Sequence, residues 1–284
     1  MIPVEFDYQV PESLEDAIDA LARGGEDAKL LAGGHSLLPL MKLRLAAPAV
    51  LVDLKRVPGL RGVAREDGTL RIGAMTRHSD LEDQPELGLV SHAAGLIADR
   101  QVRHRGTIGG SLAHGDPASD LPAVLLACEG SVGVQGPEGT REIPAAELFQ
   151  DYLTTAIAEG EVMTEVRLPA LTDYGFGYRK FMRRAEDWAM VGVCALVKQA
   201  GDGTCEDARV GLTHMSSVPL RATAVEEALR GSPLDAASIA CAAESAAEGT
   251  EPPGDLNATP EYKRHLARVL TRRALEEAAG FTAA

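Results

Sequence analysis

The chain has 284 residues, of which 45% are hydrophobic, so it is long enough for one large domain or two ordinary ones. Its formal net charge of −14 disfavours binding to nucleic-acid backbones or to anionic lipid. The sequence has no run of roughly 18 uncharged apolar residues and no basic start followed by an apolar signal core. We therefore expect a cytoplasmic protein without a membrane span.

The cysteines Cys128, Cys194, Cys205 and Cys241 are too widely spaced for a zinc site or an iron–sulfur cluster. We expect reduced and mostly buried thiols. Any metal chemistry linked to this protein is then expected on another chain.

The first half of the chain alternates short predicted strands and helices. A period of two predicts a strand over residues 4–10, and Ser13 with Asp16 predicts a helix start. The glycine-rich stretch over 105–120 is predicted to be a loop. Further strands are predicted near 28–31, 50–54, 69–76, 131–136, 140–145 and 161–169, and helices from Ser79, over 88–99 and over 121–130.

The second half begins with strands and ends with helices. Strands are predicted over 175–184, 190–199 and 205–215, and helices over 222–230, 235–248 and 259–279. Thr259 is predicted to cap the last helix, with Pro260 in its first position. Strands followed by helices indicate an α+β protein. The composition changes near 170–176, which predicts domains at 1–172 and 173–284.

Two glycine pairs are the clearest candidates for ligand binding: Ala32-Gly33-Gly34-His35-Ser36 and Thr107-Ile108-Gly109-Gly110-Ser111. Paired glycines allow positive φ and close backbone approach, and consecutive N–H groups can then bind an anion. Two such loops could hold the two phosphates of a dinucleotide. The alternative is a pair of tight turns without a ligand. Neither spacing fits a Rossmann or a Walker A fingerprint.

The strings AGGHSLLPLMKLRL and RQVRHRGTIGGSLAHGDPASDLPA resemble the FAD-binding subunits of molybdenum hydroxylases, the family of carbon monoxide dehydrogenase medium subunits and xanthine dehydrogenase FAD domains. The resemblance covers nearly the whole chain. It implies a p-cresol methylhydroxylase-type FAD-binding domain of two α/β lobes, about 1–56 and 57–172. A C-terminal domain with an antiparallel sheet and helices would follow.

The resemblance assigns cofactor-binding roles to seventeen residues. The pyrophosphate and ribityl groups of FAD would be held by Ala32, Gly33, Gly34, His35 and Ser36 and by Thr107, Ile108, Gly109, Gly110 and Ser111. Leu31 and Leu37, on either side of the first segment, are also expected to bind the cofactor. Ser111 stands where the family commonly has asparagine.

Five further residues are placed near the flavin by the same resemblance. Asp120 would accept hydrogen bonds from the cofactor, with a helix cap as the alternative. Ile97 and Ile157 would line the cofactor. Lys180 would lie near the flavin and stabilise its reduced anionic form, with a solvated strand lysine as the alternative. Trp188 stands where a tyrosine is common, either as a stacking lid or as an ordinary core aromatic.

The resemblance also implies partners and a role in electron transfer. A large molybdopterin subunit would oxidise the substrate, and a small subunit would carry two [2Fe-2S] clusters, in a dimer of heterotrimers (a heterohexamer). Electrons would pass through FAD to a quinone, NAD or oxygen, with the complex in the cytoplasm or on the inner face of the membrane. The residues 100–105, including Arg103 and His104, are expected to be surface or partner contacts. Two alternatives are a free-standing flavin oxidase or reductase of the same fold, and a non-catalytic assembly subunit.

Overall fold

Three main sheets with their helices organise the chain in the computed structural model, which describes residues 2–281. The first sheet is parallel, with the order β1-β3-β2. Helix α1 crosses between its strands and buries Ala17, Ile18 and Leu21. Its start is fixed by Ser13, whose side chain accepts the Asp16 N–H at 3.0 Å. These elements are β1 (Asp7–Gln9), α1 (Leu14–Gly24), β2 (Ala28–Leu31), α2 (Leu37–Lys42) and β3 (Val50–Asp53).

The second sheet is antiparallel, and the late strand β10 lies in its middle between β5 and β6. Its strands are β4 (Val63–Glu66), β5 (Thr69–Gly73), β6 (Ser131–Gly136), β7 (Gly139–Pro144) and β10 (Val162–Pro169). The small hairpin of β8 (Phe149–Asp151) and β9 (Thr154–Thr155) lies outside it. The helices of this region are α3 (His78–Glu82), α4 (Leu89–Gly95), α5 (Arg100–Arg103), α6 (Ile108–His114), α7 (Asp120–Ala127) and α8 (Ala145–Leu148).

The third sheet is also antiparallel, and its strands follow one another in chain order. It consists of β11 (Gly175–Phe181), β12 (Val191–Gln199), β13 (Cys205–Thr213) and β14 (Leu220–Arg221). The helices α9 (Thr223–Leu229), α10 (Ala236–Ala243) and α11 (Pro260–Ala278) follow. Apolar residues of β12, β13 and α11 form one buried core.

The α+β prediction is confirmed, and most predicted elements are present with shorter bounds. Thr259 caps α11 as predicted, accepting the Tyr262 N–H. Ser79 does not begin its helix: α3 starts at His78, where the side chain of Asp80 accepts the Arg77 N–H. The predicted loop over 105–120 contains α6, because Thr107 caps a helix there. None of the helices within residues 2–281 has the length and hydropathy needed to cross a bilayer.

Candidate functional site

A cavity of about 1270 Å³ is bounded by residues from all three sheet regions. It exceeds the roughly 300–1,000 Å³ of common small-molecule sites, so it has room for an extended, two-part ligand. The residues predicted to bind the cofactor line this cavity, with the exception of Ile108. That side chain is 3% exposed and belongs to the apolar core of the second region, because it points inward from α6.

The first glycine segment leaves a row of backbone donors free. Gly34 has a φ of +80°, which lets the chain turn between β2 and α2. Within residues 2–281, the N–H groups of residues 33–37 have no hydrogen-bond acceptor. The Ser36 side chain makes no capping bond either. Consecutive unpaired N–H groups form a concavity that suits an anion such as a phosphate.

The second glycine segment is built differently. It is the first turn of α6 rather than a loop, and neither Gly109 nor Gly110 has a positive φ. Its donors are already used: the N–H of Ile108 bonds Thr76 O at 3.0 Å, and that of Gly109 bonds Ala74 O at 2.8 Å. The N–H groups of Gly110 and Ser111 bond the Thr107 side chain and carbonyl, respectively. The prediction that this backbone folds as an anion-binding loop was wrong.

Close packing explains the glycine at position 109. A Cβ there would lie 2.5 Å from Ala74 Cβ and 2.7 Å from Ala74 O. A Cβ on Gly33 would likewise overlap the carbonyl of Arg105. The glycines therefore bring residues 32–37, the strand end at Ala74 and helix α6 into contact. The side of α6 that carries Thr107 and Ser111 faces the cavity.

His78 lies between the two glycine segments and was not predicted from the sequence as a site residue. It lines the cavity and is 4% exposed, and its backbone N–H donates to Gly106 O at 3.0 Å. Burial lowers the pKa of His78 to about 4, with smaller contributions from His35 and Arg103. Burial and Arg105 also lower the pKa of His35. Nothing in the string TRHSDLE distinguishes His78 from a surface residue of a short helix.

A buried ion pair forms another part of the cavity wall. Lys180 Nζ lies 2.9 Å from Asp120 Oδ2 and donates to Leu96 O at 3.0 Å. The Tyr178 hydroxyl donates to the other oxygen of Asp120 at 2.5 Å. Burial raises the pKa of Asp120, while Lys180 and Tyr178 oppose that rise. Lys180 is therefore not a solvated strand lysine, and Asp120 is the first residue of α7 rather than its cap.

Tyr178 was also missed by the sequence analysis. It is 1% exposed, and burial next to Asp120 raises its pKa well above the usual range. Residues 178 and 180 are two apart on β11, so their side chains project from the same face of the strand. That spacing is the one local signal that could have linked Tyr178 to Lys180.

Trp188 lies at the cavity wall next to Glu186 and Asp187. Its side chain is 59% exposed, which excludes the alternative of a core aromatic. Ile97 and Ile157 are half-buried and line the cavity. Arg103, predicted to be a surface or partner contact, is 9% exposed: its guanidinium pairs with Glu82 at 2.7 Å and donates to the carbonyl oxygens of Ile97 and Ala98. His104 beside it is exposed.

The described part of the chain, residues 2–281, contains no cluster of three or more His, Cys, Asp or Glu side chains arranged to hold a metal ion. The thiols of Cys128, Cys194 and Cys205 are buried and unbridged, and that of Cys241 is exposed. Burial raises the pKa of Cys128 to about 12, so this thiol stays protonated at neutral pH.

Comparison with known families and proteins gives consistent matches along the chain. Residues 4–171 match the FAD binding domain in molybdopterin dehydrogenase, and residues 176–278 match the CO dehydrogenase flavoprotein C-terminal domain. The chain is 43% identical to the carbon monoxide dehydrogenase medium chain of Hydrogenophaga pseudoflava, over 98% of both chains. It is 40% identical to the 6-hydroxypseudooxynicotine dehydrogenase complex subunit alpha of Paenarthrobacter nicotinovorans, over 98% of this chain and 96% of that protein.

Solved structures show the same fold. One match is a chain of the carbon monoxide dehydrogenase of H. pseudoflava, in a form of the enzyme that lacks the Mo-pyranopterin moiety of the molybdenum cofactor. It superimposes with a TM-score of 0.95 at 44% identity, over the full length of both chains. A chain of quinoline 2-oxidoreductase from Pseudomonas putida 86 superimposes with a TM-score of 0.94 at 32% identity, over 99% of each chain.

Proposed function

This chain belongs to the family of FAD-binding subunits of molybdopterin dehydrogenases, and from that premise we propose that it is the electron-transfer subunit of a molybdenum hydroxylase. FAD, when bound, would accept electrons from the [2Fe-2S] clusters of a partner subunit and pass them to an external acceptor. A complex of the carbon monoxide dehydrogenase type is supported by two medium chains at 43% and 39% identity. The free donors of residues 33–37 within a large cavity are the observation that carries the proposal.

The residues of the cavity fit the parts of FAD. The N–H groups of residues 33–37 would donate to the pyrophosphate, which carries the negative charge that such a row of donors binds. The hydroxyls of Ser36 and Ser111, which have no partner among the residues described, would add donors to the same end. Ile97 and Ile157 would line the cofactor with apolar surface.

The pair of Asp120 and Lys180 would anchor the flavin end. Lys180 Nζ carries three protons and uses two of them on Asp120 and Leu96, so one is left to donate into the cavity. Because Asp120 balances its charge at 2.9 Å, Lys180 would act as an oriented donor more than as an isolated cation. It would therefore raise the flavin potential less than an unpaired lysine would.

Three buried titratable groups of the cavity wall favour transfer of electrons over oxidation of a substrate. Asp120 and Lys180 are paired with each other, and the pKa of His78, about 4, keeps that side chain neutral. A base for substrate deprotonation needs an accessible lone pair and a pKa near the working pH. None of these three side chains combines the two, which supports a role as the outlet of an electron chain.

The partners follow from this proposal. A large molybdopterin subunit would carry the substrate site, and a small subunit would carry two [2Fe-2S] clusters, in a dimer of heterotrimers. The complex would work in the cytoplasm, at or near the inner face of the membrane. Names such as carbon monoxide dehydrogenase medium chain and nicotine 6-hydroxylase medium subunit among the relatives support an assembly of this kind.

The test compares the FAD-loaded subunit alone with the same subunit co-expressed with the chains encoded beside it. Flavin absorbance is followed under anaerobic conditions as carbon monoxide or an N-heterocycle is added. We expect bleaching only in the assembled complex, while a chemical reductant bleaches both samples. Bleaching of the isolated subunit at a catalytic rate would identify a free-standing flavin enzyme instead.

A further inference from the structure

A cluster of charged and polar side chains, buried at Lys263 and open to solvent at Asp255, lies behind the chain segment that carries Trp188. Lys263, near the start of α11, is 0% exposed, and its Nζ lies 2.7 Å from Asp255 Oδ2. The same nitrogen lies 3.3 Å from His214 Nε2. The carboxylate of Asp255 is itself held by the N–H groups of Asn257 and Ala258.

His214 connects this cluster to two segments of the cavity wall. Its ring Nδ1 lies 2.9 Å from Ala189 O, and Ala189 directly follows Trp188. Its backbone N–H donates to Pro117 O at 2.8 Å, three residues before Asp120. One residue therefore ties together the segments of Trp188 and Asp120, which belong to different sheet regions.

The hydrogen-bond pattern fixes the tautomer of His214. A carbonyl oxygen only accepts, so Nδ1 must carry the proton that it shares with Ala189. Nε2 is then left with its lone pair and accepts from the Lys263 ammonium group. Burial lowers the pKa of His214, in keeping with a neutral ring beside this cation. The chain of contacts from Asp255 to Ala189 has a donor and an acceptor at every step.

The backbone of His214 is also held in an unusual conformation. Its φ is +62°, in the left-handed region that only a few per cent of residues other than glycine adopt, with Asn, Asp and His enriched among them. A strained residue persists where its surroundings hold it, and here both its backbone and its ring are engaged.

We propose that His214 is a positioning residue, which through Ala189 O and Pro117 O sets the distance between Trp188 and Asp120 at the flavin end of the cavity. Lys263 and Asp255 hold the ring in the tautomer that this role requires. The inference rests on the proposed function only in naming the flavin as the ligand of that end. The fixed position of the Trp188 segment is a property of the protein without cofactor.

The experiment uses two substitutions that differ by one group. His214→Asn places an amide N–H where Nδ1–H stands, and asparagine tolerates the positive φ. His214→Asp has the same size as His214→Asn and the same tolerance of the positive φ, but its carboxylate cannot donate to Ala189 O. His265→Asn, at an exposed histidine of α11, serves as the control.

Trp188 is the chain's single tryptophan, so its fluorescence in the cofactor-free protein reports on this segment alone. We expect His214→Asn and the control to keep the wild-type anisotropy and resistance to acrylamide quenching. His214→Asp should lower both, and should weaken FAD binding by up to about tenfold, because the Trp188 segment is no longer held in place by the bond from His214 to Ala189 O. If His214→Asp folds and leaves both Trp188 mobility and FAD affinity unchanged, the proposal is overturned.

A second measurement determines the tautomer of His214 in the wild-type protein. ¹⁵N NMR of histidine-labelled wild-type protein, with the His214 signal assigned through its loss in His214→Asn, should show the Nδ1–H tautomer. The Nε2–H tautomer, or exchange between the two, would contradict the proposal. The fluorescence and NMR readouts are taken without FAD, so a failure to bind FAD would count against the proposed function and leave this inference to be decided by those two readouts.

Discussion

The two glycine segments have similar letters but different structures. In residues 32–37 the backbone turns through a left-handed glycine, and the N–H groups of 33–37 remain unpaired within residues 2–281. In residues 107–111 the chain begins a helix, and the N–H groups of 108–111 all bond protein oxygens. A glycine pair therefore does not identify an anion site. What matters is whether nearby acceptors already use the donors.

The difference assigns the two segments separate tasks. The first can offer a row of donors to a phosphate. The second allows α6 to approach Ala74 closely, since Gly109 has no room for a Cβ. Substitution of Gly109 should therefore act mainly on folding, and substitution of Gly34 mainly on cofactor binding.

The largest effect is expected for Gly109→Ala. The new methyl group would overlap backbone and Cβ of Ala74, and backbone cannot move aside easily. We expect a loss of about 3 kcal/mol in the free energy of unfolding, measured by urea titration. Gly110→Ala is the matched control, because its Cβ would meet only the Thr107 hydroxyl at 2.9 Å and Ala32 Cβ at 3.5 Å. Equal stability losses in the two variants would contradict the close-packing explanation.

Gly34→Ala should act on binding. It strains a backbone with a φ of +80° and disturbs the row of free donors, so FAD affinity should fall about fiftyfold, or about 2.3 kcal/mol. Gly68→Ala is the control, since Gly68 has a φ of +78° in a hairpin turn with open space around it. Both variants should lose stability through the strained φ, and Gly34→Ala should lose more, because its Cβ would lie 2.9 Å from Leu38 Cδ1. A similar loss of FAD affinity in both variants would show that residue 34 does not contact the pyrophosphate.

The lowered pKa of His78, which lies between the two segments, predicts that the folded protein loses stability in acid. Its pKa is about 4 in the folded protein, against an unfolded value of 6.5. The unfolded chain therefore binds the proton more readily, and the stability present above pH 6.5 is lost as the pH falls toward 4. Between pH 7 and pH 5 the loss from this residue is close to 2 kcal/mol. In His78→Gln the free energy of unfolding, measured by urea titration, should fall less between pH 7 and pH 5. A pH dependence identical to that of the wild type would show that His78 is not the cause.

The smallest effect is expected for Ser111→Ala. The hydroxyl lines the cavity, while the backbone N–H of Ser111 is already used within α6. We expect a three- to tenfold loss of FAD affinity, as for one hydrogen bond of about 1 kcal/mol, with little change in stability. Ser111→Asn, the residue common in the family, should keep or improve affinity. A large loss of stability in Ser111→Ala would show that the hydroxyl serves the fold.

Local signals predicted much of the fold. Ser13 and Thr259 cap their helices through atoms three residues away, and the short apolar run over residues 191–197 is typical of a buried strand. The start of α6 was missed because glycines usually interrupt helices, and because two of its N–H groups bond carbonyls more than thirty residues earlier.

The site is formed by long-range contacts, which the sequence alone does not reveal. Asp120 and Lys180 were assigned by resemblance, but their pairing, and the bond from Tyr178, join residues about sixty positions apart. His78 was missed for the same reason, since its burial depends on Gly106 and its neighbours. No periodicity reports such contacts, and they decide which side chains face the cavity.

The central claim is that residues 33–37 hold the pyrophosphate of FAD. The most direct test is to titrate cofactor-free wild type and Gly34→Ala with FAD and with riboflavin, which has the flavin ring but no pyrophosphate. We predict that Gly34→Ala loses about fiftyfold in affinity for FAD and less than about twofold for riboflavin. Equal losses for the two ligands would contradict the claim, because the substitution would then act through something other than the phosphates.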